Sequence, residues 1–388
     1  MSTEVVVVGG GYAGVMAANR LTRRGDVNVT LVNARSTFVE RIRLHQLAGG
    51  THPAVVEYRD VLAERVRLVV GSATRIDAAG RAVELASGEV LRYDYLVYAV
   101  GSAAAVPRVP GAAEFAYPIA SLEQAERLRP ALDVASAVTV VGGGASGIEM
   151  AAELAEQGRA VTLVCGGALG PYLHPKGRRA VARRLADLGV VVVEGAEVVE
   201  VERAAVRLAD GRVIAGEVTV WTAGFGVPDL AARSGLSTDP EGRLRTDETL
   251  TSVDDERIVA AGDCAAPSDL PYRMGCQSAV QLGPQAAETV LSRIAGEQPA
   301  VVQVGFAGLC VSLGRRAGIF QFASRDDQAT KLHVGGRVGA VIKEFVCKST
   351  VKQLASEARK PGARDVWMKD PKRGELVGTE PVRVSWSA

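Results

Sequence analysis

Runs of β-branched residues alternate along the chain with segments of helical periodicity. One pair of runs occupies residues 5–8 and 27–32, and a second pair occupies residues 138–141 and 161–164. Short apolar runs of this kind are typical of strands buried on both faces of a parallel sheet. Weaker alternating strands separated by turn residues follow each pair, which predicts a β-meander in each half. The pattern therefore predicts an α/β fold in which one unit occurs twice.

Glycines follow the first strand of each pair in the same register. The two G-x-G-x-x-G motifs, 133 residues apart, consist of Gly9, Gly11, Gly14, Gly142, Gly144 and Gly147. The first glycine of such a motif permits a sharp turn, the second lets backbone N–H groups approach a pyrophosphate, and the third lets the helix pack closely on the strand. A single match is weak evidence. Two matches in the same strand-to-helix context predict two dinucleotide-binding units that arose by duplication.

The length and the strand pattern predict the domain organisation. With 388 residues the chain exceeds the size at which a single core stops growing. We predict two Rossmann-like dinucleotide-binding domains with β-meander crossovers, and a small α+β C-terminal domain. The first comprises residues 1–110 and 245–300, because a buried strand at residues 257–261 returns to it. The second comprises residues 111–244, and the C-terminal domain residues 301–388.

Composition restricts the class of protein. A hydrophobic content of 47% and a net charge of +1 fit a globular protein and give no reason to expect a nucleic-acid partner. The five cysteines are odd in number and include no C-x-x-C pair, which argues against a disulfide framework or a metal site. No signal-peptide pattern opens the chain, and no apolar run approaches the ~18 residues of a membrane span. A cytoplasmic location is predicted, with peripheral contact at the inner face of the membrane as the alternative.

The residue at the tip of each unit's second strand bears on which nucleotide the unit prefers. An acidic side chain usually binds the adenosine ribose there. The first unit instead has Asn33, whose amide oxygen can accept from a hydroxyl without charge assistance. The second unit has Cys165, and Lys176, Arg178 and Arg179 downstream can meet a 2′-phosphate. The sequence therefore selects neither NADH nor NADPH.

The two motifs, the strand ends at residues 221–224 and 262–265, and the lack of a cysteine pair at residues 38–50 together resemble a known family. They are similar to the two-dinucleotide-binding flavoproteins, the FAD-dependent pyridine nucleotide oxidoreductases, and most of all to type II NADH dehydrogenases and their relatives. The resemblance covers about residues 1–300 and is loose from residue 306. It implies hydride transfer from NAD(P)H to FAD, followed by electron transfer to a quinone or quinone-like acceptor.

The resemblance also implies site residues. Glu149 is placed beside the nicotinamide and the flavin, with stabilisation by the helix dipole as the alternative role. His45 and Gln46 either address the flavin ring or are structural. Contacts with FAD are predicted at Gly9, Gly11, Tyr12, Ala13, Gly14, Asn33, Ala34, Arg35, Arg43, Ala73, Ala99, Gly101, Gly262, Asp263, Gln277, Ser278 and Ala279. Contacts with NAD(P)H are predicted at Gly142, Gly144, Ala145, Gly147 and Gly224.

The positions of Asp263 and Gln277 in their elements explain two of these predicted FAD contacts. Asp263 follows a buried strand and can accept hydrogen bonds from the ribityl chain, with capping of the next turn as the alternative. The helix that begins near Gln277 directs its N-terminus at the pyrimidine side of the flavin, where its dipole favours the anionic reduced ring.

The C-terminal domain contains one predicted helix, at residues 337–360. Its residues Val338, Val341, Ile342 and Phe345 share a face, and basic residues predominate elsewhere. Such a helix can lie on an anionic membrane surface; a lid or a homodimer contact is the alternative. Two other functions remain open: a biosynthetic tailoring flavoenzyme that oxidises or couples an aromatic metabolite, and a non-enzymatic protein with a structural flavin.

Overall fold

The computed structural model describes residues 2–105, 107–363 and 368–378, so residues 379–388 of the predicted C-terminal domain lie outside the described residues. The strands in sequence order are β1 (Thr3–Val8), β2 (Val27–Asn33), β3 (Thr37–Val39), β4 (Val55–Glu57), β5 (Val66–Val70), β6 (Ala73–Asp77), β7 (Ala82–Leu85), β8 (Val90–Arg92), β9 (Tyr95–Tyr98), β10 (Ala103–Ala104), β11 (Ala116–Pro118), β12 (Ala137–Val141), β13 (Ala160–Val164), β14 (Val191–Val193), β15 (Val198–Glu202), β16 (Ala205–Leu208), β17 (Val213–Ala215), β18 (Val218–Trp221), β19 (Phe225–Gly226), β20 (Leu244–Thr246), β21 (Ile258–Ala260), β22 (Ala265–Pro267), β23 (Gly308–Ser312), β24 (Gly318–Ala323) and β25 (Ala329–Gly335).

The α-helices in sequence order are α1 (Tyr12–Leu21), α2 (Leu44–Ala48), α3 (Tyr58–Val61), α4 (Ala112–Phe115), α5 (Leu122–Val134), α6 (Ala145–Glu156), α7 (Pro175–Asp187), α8 (Leu230–Arg233), α9 (Cys276–Ile294), α10 (Gly336–Arg359) and α11 (Arg373–Val377). Short 3₁₀ turns lie at Arg41–Arg43 and Gly262–Cys264. Among the helices of these described ranges, none is long and apolar enough to cross a lipid bilayer.

Two parallel sheets form the centre of the molecule. The first has the strand order β21-β9-β1-β2-β5 and the second the order β11-β18-β12-β13-β14. In each, the strand that precedes a glycine motif lies in the middle and pairs in parallel on both sides. β21 lies beside β9, so the chain returns to the first sheet after completing the second. The predicted α/β fold with a duplicated unit is confirmed.

The predicted meanders are present as three-stranded antiparallel sheets. They have the orders β6-β7-β8 and β15-β16-β17, and each lies between two strands of its own parallel sheet in the sequence. A third antiparallel sheet, β23-β24-β25, packs with α10 to form the C-terminal part. We propose the domain boundaries at the positions that the sequence predicts.

The helix α10 is fixed to the first dinucleotide-binding unit by polar contacts. Arg20 of α1 forms a buried ion pair with Glu357 of α10. The side-chain amide of Asn19 donates to the carbonyl of Leu354, 3.2 Å away. These contacts anchor the C-terminal end of α10 to α1.

Two further segments, residues 38–50 and the helix α10, supply side chains to the site described below. Only α2 is an α-helix within the segment 38–50, because Phe38 belongs to β3 and pairs with Val56 of β4. In α10 the apolar face points outward: the exposed fractions of Val341 and Phe345 are both 69%. Its buried face instead carries polar residues, including Lys343, which is 8% exposed.

Candidate active site

In the first glycine loop, packing leaves no room for a side chain at two of the glycines, whereas the third borders open space. A Cβ atom on Gly9, whose φ is +106°, would lie 2.2 Å from the carbonyl oxygen of Ala99. A Cβ atom on Gly14 would lie 1.8 Å from the carbonyl oxygen of Gly9. A Cβ atom on Gly11 would have no neighbour within 4 Å. Gly11 also caps α1 without a side-chain hydrogen bond, so the loop presents an open, positively polarised helix end that fits a pyrophosphate.

The second glycine loop repeats this arrangement. Gly142 has a φ of +125°, and a Cβ atom on it would lie 2.4 Å from Oγ1 of Thr222. A Cβ atom on Gly147 would lie 1.8 Å from the carbonyl oxygen of Gly142, whereas one on Gly144 would have no neighbour within 4 Å. No side chain caps α6, whose first residue is Ala145. The residues present therefore fit two dinucleotides, one at each loop.

At the tip of β2, Asn33 holds the glycine loop. Its Oδ1 accepts from the N–H of Gly10, 3.0 Å away, and its Nδ2 donates to the carbonyl of Arg35, 2.9 Å away. The Arg35 guanidinium forms a bidentate pair with Glu123 of α5. The predicted contacts of Asn33 and Arg35 with adenosine stay predictions, and the structure gives both side chains partners within the protein.

Asp263 follows β21, and two hydrogen-bond donors and one arginine, from three segments, surround its carboxylate. Its carboxylate accepts from the hydroxyl of Ser102 at 2.6 Å and from the N–H of Gly275 at 2.9 Å. Arg41 Nη1 lies 3.8 Å from the carboxylate and donates to Ser102 at 3.0 Å. This fixed carboxylate lies between the end of β9 and the start of α9, where the prediction places the ribityl chain.

Arg41 is the arginine beside Asp263, and the FAD contact predicted for Arg43 stays a prediction. Arg43 is buried and directs its guanidinium to Glu40 at 3.1 Å and to Glu344 of α10 at 2.9 Å. The sequence offers two arginines two positions apart and no means of choosing between them. A 3₁₀ turn directs such neighbours to different sides.

The start of α9 makes polar contacts with its own loop and with the segment that enters β23. With its side-chain amide oriented to match its neighbours, Gln277 donates to the carbonyl of Gly308 and accepts from the N–H of Ala307, each at 3.0 Å. The Ser278 hydroxyl donates to the carbonyl of Gly275, 2.9 Å away. These contacts tie α9 to the segment that enters β23.

The remaining predicted FAD contacts surround the carboxyl end of the first sheet. Gly71 donates its N–H to the carbonyl of Asn33, which brings the start of β6 to the tip of β2. A Cβ atom on Gly262 would lie 3.0 Å from Cβ of Ala13 and 3.9 Å from Cβ of Ala279. The residues that lie at this edge, or in loops joined to it, are Tyr12, Ala13, Ala34, Ala73, Ala99, Gly101, Gly262 and Ala279. Gly224 follows β18 at the corresponding edge of the second sheet, with a φ of +81°.

Glu149 lies in the first turns of α6 and is 7% exposed. Its Oε1 is 2.7 Å from Nζ of Lys343 and accepts from the N–H of Ser312 at 2.9 Å. Burial by itself would raise the pKa of Glu149, but the Lys343 ammonium and the other partners outweigh it, and the pKa is lowered. Burial likewise opposes protonation of Lys343, yet Glu149 raises its pKa above the usual value. Both groups are therefore charged at neutral pH.

His45 of α2 completes this buried cluster. Its Nδ1 lies 3.5 Å from Oε2 of Glu149, and its Nε2 lies 3.4 Å from Nη2 of Arg315. Burial lowers the pKa of His45 to about 4, and the cations Lys343 and Arg315 act in the same direction against the attraction of Glu149. The imidazole is therefore neutral at pH 7.

Arg315 extends the cluster to a second carboxylate. Its Nε lies 2.8 Å from Glu153, which also accepts from the Thr51 hydroxyl at 2.6 Å. Burial raises the pKa of Glu153. Sequence reasoning missed Lys343, Ser312 and Arg315, because they come from the segment in which the family resemblance is loose. The available signal was the polar stripe at residues 343, 350, 353 and 357 of α10, which has helical spacing.

The neutral state of His45 predicts a pH dependence of stability. An unfolded histidine binds a proton below a pKa of 6.5, whereas folded His45 binds one only near pH 4, so the folded state loses stability as the pH falls between these values. The difference corresponds to about 3 kcal/mol. We expect the free energy of urea-induced unfolding to fall more steeply between pH 6.5 and 4.5 in the wild type than in His45→Gln. Equal slopes in the two proteins would contradict the assignment.

Comparison with known proteins agrees with the geometry. Residues 3–289 match the family model for pyridine nucleotide-disulphide oxidoreductases. The chain is 29% identical over 353 residues to an NADH dehydrogenase-like protein of Mycobacterium tuberculosis, covering 82% of this chain and 87% of the relative. It is also 29% identical over 347 residues to the type II NADH:quinone oxidoreductase of the same organism, covering 76% and 74%.

A solved structure gives the same fold. NDH2 from Plasmodium falciparum, in complex with NADH, superposes with a TM-score of 0.78 at 15% identity and covers 94% of this chain and 99% of its own. The matched family, the two open glycine loops and the shared fold lead to one conclusion. This protein is an enzyme that uses FAD and a pyridine nucleotide, and it belongs to the pyridine nucleotide-disulphide oxidoreductase family.

Proposed function

We propose that the enzyme oxidises NAD(P)H and passes the electrons to a quinone or a quinone-like aromatic acceptor. The observation that carries this proposal is the difference between the two faces of α10. Its buried face places Lys343 against Glu149, and its exposed face carries Val341 and Phe345. One helix thus separates the buried charged cluster from an apolar surface.

The sheet that packs on α10 also carries exposed apolar side chains, and we call the whole set the acceptor face. It consists of side chains that are 39% to 69% exposed, namely Phe322, Leu332, Val338, Val341 and Phe345. Exposed basic residues, Lys331, Arg337, Lys348 and Lys352, flank it. A patch of apolar side chains with a basic margin suits the surface of an anionic bilayer, in which a lipid-soluble quinone resides.

The cofactor and the protein contribute different parts of the reaction. When bound, FAD supplies the ring that accepts hydride from the nicotinamide and returns electrons to an acceptor. The protein's part is to align the two nucleotides at the paired glycine loops. Glu149 and Lys343 form a fixed charged pair at the start of α6, directly behind the second loop. The relative from Mycobacterium tuberculosis that is named as an NADH:quinone oxidoreductase supports this choice of acceptor.

An anaerobic experiment tests the proposal. NADH or NADPH is expected to bleach the flavin absorbance of the purified enzyme, and an added quinone is expected to restore it. Steady-state rates with a quinone, ferricyanide, oxygen and a one-electron carrier protein then rank the acceptors. Bleaching without reoxidation by the quinone would reject the quinone while retaining the dehydrogenase.

Variants of the acceptor face give a sharper prediction. Val341→Ser and Phe345→Ser are expected to lower kcat/KM for an isoprenoid quinone in anionic vesicles by about tenfold each, since each loses roughly 1.5 kcal/mol of apolar burial. Rates with ferricyanide should stay unchanged, and so should all rates of Val134→Ser, which alters an 84% exposed valine at the end of α5. Quinone rates insensitive to both variants would place the acceptor elsewhere.

A further inference from the structure

The two units use the tip residue of their second strand in the same way. Asn33 accepts through its Oδ1 from the N–H of Gly10 in its own glycine loop, as described above. Cys165 is fully buried, and a Cβ atom on Gly143 would lie 2.7 Å from its sulfur. Both side chains are therefore turned toward the glycine loop. Neither supplies a carboxylate at the place where a dinucleotide's adenosine ribose is usually recognised.

A carboxylate from the neighbouring strand lies at this place in the second unit. Val193, the last residue of β14, pairs with Val164 and accepts from the N–H of Cys165 at 2.8 Å. The next residue, Glu194, is therefore beside the tip. Its Oε1 accepts from the N–H of Leu169 at 2.6 Å, so the carboxylate lies against the turn at residues 165–169.

The surroundings leave this carboxylate available. Residues 166–168 are exposed, and a Cβ atom on Gly166 or Gly167 would have no neighbour within 4 Å. Among the residues that the structure describes, no lysine or arginine nitrogen lies within 4.0 Å of Glu194. The carboxylate also helps raise the pKa of the Cys165 thiol to about 11, after the larger effect of burial.

The first unit lacks this feature. There the residue that pairs with the tip residue Asn33 is Val70, which is 56% exposed. The duplicated fold thus places an apolar side chain at this position in one unit and a carboxylate in the other. The charge belongs to the unit to which NAD(P)H is assigned.

We propose that Glu194 replaces the missing acidic residue at the tip of β13 and makes the enzyme prefer NADH over NADPH. This inference rests on the proposed function and names its coenzyme. A carboxylate accepts hydrogen bonds from the ribose hydroxyls and repels a 2′-phosphate. NADH has no 2′-phosphate, so its binding does not require the basic residues that the sequence offers for that group, namely Lys176, Arg178 and Arg179 of α7.

The test uses Glu194→Gln, in which the amide oxygen can still accept from the Leu169 N–H while the charge is lost. Glu197→Gln is the matched control, because Glu197 is exposed and only three residues away. The flavin-loaded proteins are titrated calorimetrically with ADP-ribose and with 2′-phospho-ADP-ribose, and kcat/KM is measured for NADH and NADPH.

We expect the wild type and Glu197→Gln to bind ADP-ribose more tightly than its 2′-phosphate. Glu194→Gln should reduce this preference, and the matching ratio of kcat/KM values, by about tenfold. An unchanged ratio in Glu194→Gln, or tighter binding of the 2′-phosphate by the wild type, would overturn the inference. Failure to bind either nucleotide would instead reject the second loop as a dinucleotide site, and the proposed function with it.

Discussion

Gly11→Val is expected to yield a folded protein that does not retain FAD. The backbone of Gly11 has φ −81° and ψ −166°, an extended conformation open to any residue, and a side chain there meets no protein atom within 4 Å. The space that the valine fills is the space predicted for the pyrophosphate. Affinity for FAD should fall about 100-fold, the equivalent of about 2.7 kcal/mol. Fluorescence titration of the apoprotein with FAD, together with its far-UV circular dichroism, measures both outcomes.

Two further substitutions separate binding from folding. Gly25→Val, at a turn where a Cβ atom also meets nothing within 4 Å, should leave FAD affinity unchanged. Gly144→Val should retain FAD and lose reduction by NAD(P)H, because it blocks only the second loop. If Gly11→Val bound FAD as tightly as Gly25→Val, the first loop would not be the pyrophosphate site.

Lys343→Met is expected to destabilise the enzyme by about 3–5 kcal/mol, because it leaves the buried Glu149 carboxylate without its cation. The double variant Glu149→Gln/Lys343→Met removes both charges and should recover a large part of this loss. Free energies of unfolding for the wild type, both single variants and the double variant give the coupling between the two residues.

The helix α10 also provides a control for this comparison of single and double variants. Lys348 pairs with Glu344 at 3.4 Å, but its side chain is 65% exposed. Lys348→Met should therefore change stability by less than about 1 kcal/mol. If Lys343→Met cost no more than Lys348→Met, the buried pair would not be a strong interaction.

The shifted pKa values define the pH range in which this pair stabilises the fold. The pKa of Glu149 is lowered from 4.5, so its contribution is present above pH 4.5 and is lost as the pH falls through the folded pKa. The pKa of Lys343 is raised from 10.5, so its contribution is present below pH 10.5 and is lost only above that. The coupling measured at pH 7 should therefore be near its maximum.

Local sequence determined the parts of the molecule that depend on neighbouring residues. A β-branched run followed by glycines in fixed register specifies a strand, a sharp turn and a helix, because each step depends on the conformational range of a few adjacent residues. The two glycine loops, the two parallel sheets, the meanders and the position of Asp263 at a strand end were all predictable on that basis. So was the presence of α10 as a helix.

Tertiary structure alone decided which side chains meet. Arg41 rather than Arg43 approaches Asp263, because the turn between them sets the direction of each side chain. Lys343 joins Glu149 because α10 packs with its polar face inward and leaves Val341 and Phe345 exposed. Glu194 reaches the tip of β13 because two strands separated by a helix are adjacent in the sheet. In each case the deciding contact joins residues from different elements, and local sequence patterns carry no information about that pairing.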